Sequence, residues 1–185
     1  MSGIVCGFSG RVGSGKTSVS EEVARHFNWP RVSFGGYVRK IAQEQGLDSS
    51  SRNVLQTLGE KLLNNGIEEF CRSVIGQVGW KPGQSLVIDG IRHRDVLNKL
   101  KEIASPSLFV LVYISVNEDN RFQRLTQRDG LSQKELDKVE EHSTEKDTKI
   151  VLSQLADIKI EGEQPIEVMV KEISNHLSRF LKQEK

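Results

Sequence analysis

Near its start the chain carries Gly10-Arg11-Val12-Gly13-Ser14-Gly15-Lys16-Thr17, residue types and spacing that make a backbone cradle for an anion. Glycines at 10, 13 and 15 open backbone angles closed to residues with a Cβ. Such a loop turns its N–H groups inward, around phosphate oxygens. A helix starting near Lys16 aims its positive dipole end, and the unbonded N–H groups running on to Ser18, at the same anion. The Lys16 ammonium would then bridge the β- and γ-phosphates of a nucleoside triphosphate, with the Thr17 hydroxyl as a ligand to Mg²⁺. Gly, four residues, then Gly-Lys-Ser/Thr arises by chance in a chain this long on the order of once in a few hundred.

A carboxylate completes the set. Asp89 ends the apolar run Leu86-Val87-Ile88, which reads as a buried strand. That puts it at the carboxyl edge of a sheet, where ligands gather in open parallel sheets. There it can hold the water shell of the magnesium and oppose Lys16.

The elements that must position these residues alternate. Ile4–Phe8 is a short apolar run ahead of the loop, and a helix from about Lys16 to Phe27 follows it. Arg31–Phe34 reads as a second strand, introduced by Pro30. A long helical region from Tyr37 to about residue 79 carries Val54, Leu55, Leu58, Leu62 and Leu63 at helical spacing, broken near Gly46–Ser51 and again at Gly66. After the strand ending at Asp89 come a helix near Val96–Ala104 and the apolar run Leu108–Ile114. A helix at Glu118–Arg128, a polar segment at 129–149, a helix near Asp147–Leu155, a strand at Asp157–Ile160 and a helix from Pro165 follow. This alternation predicts an α/β, three-layer fold of about five parallel strands with helices on both faces, joined by right-handed crossovers. It is the P-loop nucleoside-triphosphatase architecture. The chain reads as one domain over 1–185, with residues 37–79 covering an acceptor and 129–149 as a lid.

Composition bounds the partners. The 26 Lys plus Arg nearly balance 25 Asp plus Glu, so no broad basic field exists to recruit nucleic acid or a membrane surface. An anionic ligand must be gripped locally, which favours a small molecule. The longest apolar run, Leu108–Ile114, is too short to cross a bilayer. Cys6 and Cys71 both read as small core residues and, with no leader segment evident, the expected location is cytoplasmic. The four histidines, His26, His93, His142 and His176, have no metal-ligand spacing.

Several segments resemble known kinases. Val87-Ile88-Asp89-Gly90-Ile91-Arg92 is similar to the Asp-Gly-X-Pro-Arg signature of nucleoside monophosphate kinases, without the proline. Phe34-Gly35-Gly36-Tyr37-Val38-Arg39 resembles the adenylate-kinase segment whose arginine grips the monophosphate, with Gly36 where an acidic residue is usual. Arg124-Leu125-Thr126-Gln127-Arg128-Asp129-Gly130-Leu131-Ser132, with Lys146 and Ala156-Asp157, resembles dephospho-CoA kinase. The aspartate that dephospho-CoA kinases carry after the second strand is absent, its place taken by Ser33-Phe34-Gly35.

The resemblance implies roles. Arg39 and Arg92 would converge on an acceptor phosphate, for which guanidinium forks are suited. Arg124 and Arg128, one helical turn apart, would stand at the base of the lid near the nucleotide base and the transferring phosphoryl group. With Lys16 and Arg92 they form the expected catalytic set, since phosphoryl transfer rests on positioning and electrostatic stabilisation. Gln56 would read a base edge of the acceptor. Residues 130–154 contain no arginine, which leaves Lys146 as the lid's expected cation. The implied activity is transfer of the ATP γ-phosphate to a nucleoside or deoxynucleoside monophosphate by a monomer or homodimer using ATP and Mg²⁺. Two alternatives stay open: a kinase of a nucleotide-like alcohol, and a nucleotide-dependent switch. The second would need a residue positioning water and a γ-phosphate sensor.

Overall fold

The structure, a computed structural model, describes residues 3–129 and 148–183. Five strands, β1 (Ile4–Ser9), β2 (Arg31–Ser33), β3 (Leu86–Asp89), β4 (Leu108–Ser115) and β5 (Ile158–Glu161), form one sheet in the order β2-β3-β1-β4-β5. Every pairing is parallel. The helices are α1 (Lys16–Phe27), α2 (Phe34–Glu44), α3 (Arg52–Asn65), α4 (Ile67–Gly76), α5 (Arg94–Ala104) and α6 (Glu118–Asp129). A π-helical turn (Thr148–Leu152) then runs into the short α7 (Ser153–Leu155), and α8 (Ile166–Gln183) closes the chain. This is the expected three-layer parallel fold.

Continuous hydrophobic runs, rather than alternating ones, make β1 and β3 buried on both faces. On one face Val5, Leu86, Ile88 and Leu111 pack under Val38, Leu58, Phe70, Val74 and Leu97 from α2 to α5. On the other, Cys6, Phe8, Val87 and Val112 meet Val19 and Val23 of α1 and Met169, Ile173 and Leu177 of α8. Each large side chain fully buried in these layers contributes about 1.5–3 kcal/mol. Truncating Leu97 or Ile173, which are 1% and 0% exposed, to alanine would cost about 2–5 kcal/mol. Both cysteines lie in this core, where burial pushes the Cys71 thiol up to about 12 and raises the Cys6 thiol further, with Asp157 adding to the effect on Cys6. They are inert packing residues.

Local chemistry moves several predicted boundaries. The expected strand Arg31–Phe34 ends at Ser33, because the Ser33 hydroxyl accepts a hydrogen bond from the Gly36 N–H at 3.2 Å and starts α2 there. Phe34 turns into the core instead, so the helix begins three residues before the expected Tyr37. The long helical region breaks where its glycines and serines stand. Ser51 caps α3, and the extended backbone of Gly66 separates α3 from α4. The helix expected at Asp147–Leu155 is mostly a π-helical turn, a form frequent at functional sites.

Register sets the site. Phe8 pairs with Asp89 and Ser9 with Tyr113, so β1 and β3 end within a residue of each other and β4 runs two residues further. The Phe8 carbonyl accepts from the N–H groups of both Gly90 and Ile91 at 3.1 Å, folding the chain after β3 back over β1. The Ser9 hydroxyl donates to the Ile91 carbonyl at 2.8 Å and fixes the backbone just ahead of Arg92.

Candidate active site

The loop between β1 and α1 has the backbone its glycines permit, with positive φ at Gly10 (149°), Gly13 (85°) and Gly15 (87°). At Gly10 space is limiting as well, since a Cβ would lie 2.6 Å from the Ile114 carbonyl oxygen. The N-terminus of α1 has no side-chain cap, which leaves its first N–H groups directed at whatever the loop holds. Lys16 is buried, and its Nζ donates to the Arg11 carbonyl at 3.4 Å, across the loop. Arg11 and Val12 are buried too, Gly13 is half-buried, and Gly15, Thr17 and Ser18 are exposed. Ser14 is fully buried, and its hydroxyl oxygen has no hydrogen-bond partner.

Asp89 stands beside this loop as expected. Its Oδ2 accepts from the Thr17 hydroxyl at 3.0 Å. Because Thr17 gives its single proton to the carboxylate, its lone pairs face away from Asp89, the arrangement a metal ligand needs. The carboxylate is 2% exposed, and Oδ1 is buried with no partner. A buried carboxylate oxygen without a donor is costly unless a cation or its water shell reaches it. Among the described residues no group of three His, Cys, Asp or Glu side chains could hold a metal by itself. An ion at Thr17 and Asp89 would therefore take its other ligands from phosphate and water, as Mg²⁺ does. The residues present fit Mg²⁺ and a triphosphate.

Arg31 is the residue the sequence reading missed. It reaches Asp89 Oδ2 with Nη2 at 2.8 Å, so the carboxylate does not face Lys16 alone. Only its place, right after Pro30 at the start of a strand next to the one that ends in Asp89, could have signalled this.

Arginines from α6 wrap the far side of the loop. Arg11 pairs with Glu118, which also takes Arg121 through Nε at 3.1 Å and Nη2 at 2.9 Å. The Arg11 side chain thus ties the loop to α6 and leaves the cradle to its backbone. Burial of Glu118 works against its charge, but the Arg11 hydrogen bond and the two guanidinium charges win and hold its carboxyl below the usual range. Arg124 donates from Nη2 to the Gly162 carbonyl at 2.7 Å, and from Nη1 to those of Gly13 at 3.4 Å and Ser14 at 3.5 Å. Gly162 was also unforeseen. A Cβ there would lie 2.7 Å from the carbonyl oxygens of both Ser14 and Ser115. Beside Arg124 a cavity of about 370 Å³ is lined by Gly13, Gly15, Arg124 and Gln127.

The acceptor side is less assembled. Arg92 follows β3 half-buried, and its carbonyl accepts from the buried Thr148 hydroxyl at 3.2 Å. Arg39 is exposed on α2 and Gln56 half-buried on α3. The Arg128 side chain, Lys146 and nearly all of the expected lid at 129–149 lie outside the described residues.

The glycine loop between β1 and α1, the parallel sheet and the Thr17–Asp89 pair define a P-loop α/β protein. The chain belongs to the family whose model is described as AAA domain, which matches residues 7–156. It is 35% identical to a UPF0200 protein of Pyrobaculum aerophilum over 67% of this chain and 66% of that one. It is 30% identical to a cytidylate kinase of Pyrobaculum calidifontis over 70% of this chain and 62% of that protein. The chain thus spans just under two thirds of the length of these relatives. The fold is that of shikimate kinase from Aquifex aeolicus, with a TM-score of 0.60 and 23% identity over 94% of this chain and 96% of that one.

Proposed function

We propose that this protein is an ATP- and Mg²⁺-dependent kinase that passes the γ-phosphoryl group to a nucleoside or deoxynucleoside monophosphate. The observation that carries the choice of acceptor is the occupation of Asp89. An alcohol acceptor benefits from a general base. Asp89 is the carboxylate at this edge, and its Oδ2 already accepts from Thr17 and from the Arg31 guanidinium. With two donors on Oδ2 and Oδ1 given to the metal in this reading, Asp89 serves a cation rather than the proton of an alcohol. A phosphate acceptor is ionised at neutral pH and needs no base. The similarity to a protein named cytidylate kinase supports the same class.

In this reading the loop N–H groups from Gly10 to Ser18 and the Lys16 ammonium hold the donor phosphates. Thr17 and Asp89 would hold the metal, whose chemistry there would be to neutralise charge on the triphosphate. Arg124, fixed by three carbonyls, lines the cavity beside Gly13 and Gln127, where a base would stack on it. Arg39 and Arg92 hold the acceptor phosphate and Gln56 its base. The role left to the 129–149 segment, with Arg128 and Lys146, would be that of a lid excluding water from the reacting groups.

The test is ADP release from Mg·ATP across a panel of ribo- and deoxyribonucleoside monophosphates, dephospho-CoA and a no-acceptor control, with Lys16→Ala as blank. Stimulation by one monophosphate, lost in the blank, is the expected result. Stimulation by dephospho-CoA alone would transfer the activity to an alcohol acceptor. A rate indifferent to every acceptor would sink the kinase reading.

A further inference from the structure

We propose that Arg31 is a positioning residue for the metal site, aiming the Asp89 carboxylate so that Oδ1 is left for the hydrated cation. The inference rests on the proposed function only in taking Thr17 and Asp89 as the place of the metal.

Four groups from three elements close a ring. Arg31 Nη2 donates to Asp89 Oδ2 at 2.8 Å, and Arg31 Nε donates to the Ser20 hydroxyl at 2.9 Å. That hydroxyl donates its own proton to the Thr17 carbonyl at 2.8 Å, and the Thr17 hydroxyl returns to Asp89 Oδ2 at 3.0 Å. The ring links β2, β3 and the first turns of α1, with Thr17, the first residue after the loop lysine, as a member. Arg31 also has Glu21 3.6 Å from Nη1, but Glu21 is half exposed and adds little.

Its chemistry is that of a fixed counter-ion. The Asp89 side chain is 3% exposed, and burying a carboxylate is expensive unless a cation and hydrogen bonds offset it. Arg31 supplies both, and it does so on one oxygen only. Thr17 uses the same oxygen, so all the donors gather on Oδ2 while Oδ1 stays open. A guanidinium suits this task better than an ammonium. Its rigid fork spans Ser20 and Asp89 together, and this two-point grip fixes the direction from which Nη2 meets Oδ2, which a single rotatable ammonium cannot do. A salt bridge serving the fold alone would not need the Ser20 branch to return to the backbone of the metal-binding threonine.

The experiment reads metal-linked nucleotide binding, which requires no acceptor and no turnover. ADP affinity of the full chain is measured by calorimetry with excess Mg²⁺ and with a chelator, for the unaltered protein and for Arg31→Met, Arg31→Lys and Ser20→Ala. In Arg31→Met the gain in affinity from Mg²⁺ should shrink by about tenfold, the loss of one charge-assisted contact, while affinity in chelator stays within about twofold. Arg31→Lys, which keeps the charge and loses the fork, should recover only part of the gain, and Ser20→Ala should lose about two- to threefold. An unchanged magnesium gain in Arg31→Met, beside a lowered unfolding temperature, would make Arg31 a support of the fold and overturn the assignment. A larger gain would overturn it as well, by making Arg31 a competitor for Asp89. Should Arg31→Met fail to fold, an undiminished gain in both other variants would be decisive against it. Failure of the kinase reading would appear in the acceptor panel instead and leave these affinities untouched.

Discussion

The two sides of the sheet's carboxyl edge are built differently. Around the loop, Arg11, Ser14, Lys16, Asp89 and Arg121 are all buried, and hydrogen bonds join α1, β2, β3 and α6 into one polar network. Across from it, α3 buries only Leu58, beside partly buried Leu55 and Leu62, while α2 is anchored by Phe34, Val38 and Ala42. The expected substrate residues there, Arg39 and Gln56, stand exposed and half-buried. On the proposed function, the difference teaches that the groups given to the donor already touch one another in this structure, which leaves closure of the site to the acceptor side. Elements with few buried contacts open at low free-energy cost, which suits them to substrate-driven closure.

The contrast can be broken by experiment. Lys16→Ala removes the cation at the transferring phosphates, and turnover should fall roughly a hundred- to a thousandfold with the fold intact by circular dichroism. Turnover near that of the unaltered protein would deny the loop its catalytic part. Next in size, Arg39→Gln and Arg92→Gln should raise the acceptor KM about ten- to a hundredfold, the loss of one charged hydrogen bond, and leave the KM for ATP unchanged. A rise confined to ATP would erase the division between the two sides.

Smaller effects sharpen it. Ser33→Ala removes the cap of α2, and its unfolding free energy in urea should drop by about 1 kcal/mol, with acceptor KM affected more than ATP KM. The smallest is a pH effect at Glu118, whose folded carboxyl is held below its unfolded value, mainly by Arg11. Its contribution is present above the ordinary carboxylate range and is lost as pH falls through the lowered folded value. The urea midpoint of the unaltered protein should therefore exceed that of Glu118→Gln at neutral pH and converge with it in acid. The gap is small, because the Glu118 side chain is 54% exposed. A gap that persists at low pH would assign the effect to packing.

Much of the donor side was legible in the sequence for a physical reason. Gly10, Gly13, Gly15, Lys16 and Thr17 act through local backbone geometry, which a short motif encodes whole. Asp89 was legible because a buried strand must end where its first charge appears. Helix limits depended on finer chemistry. The side-chain cap at Ser33 moved the start of α2, and the π-helical turn at Thr148–Leu152 departed from ordinary helical spacing.

By itself the sequence determined the phosphate loop, the five parallel strands and the carboxylate at the sheet edge, since each follows from local periodicity or from glycine's freedom. Only the tertiary structure decided which groups meet across the chain. It set Arg31 on Asp89 over a separation of 58 residues, Glu118 on Arg11 over 107 and Gly162 under Arg124 over 38. These pairings arise from strand order and register, which bring remote positions to one edge, and no spacing along the chain encodes them.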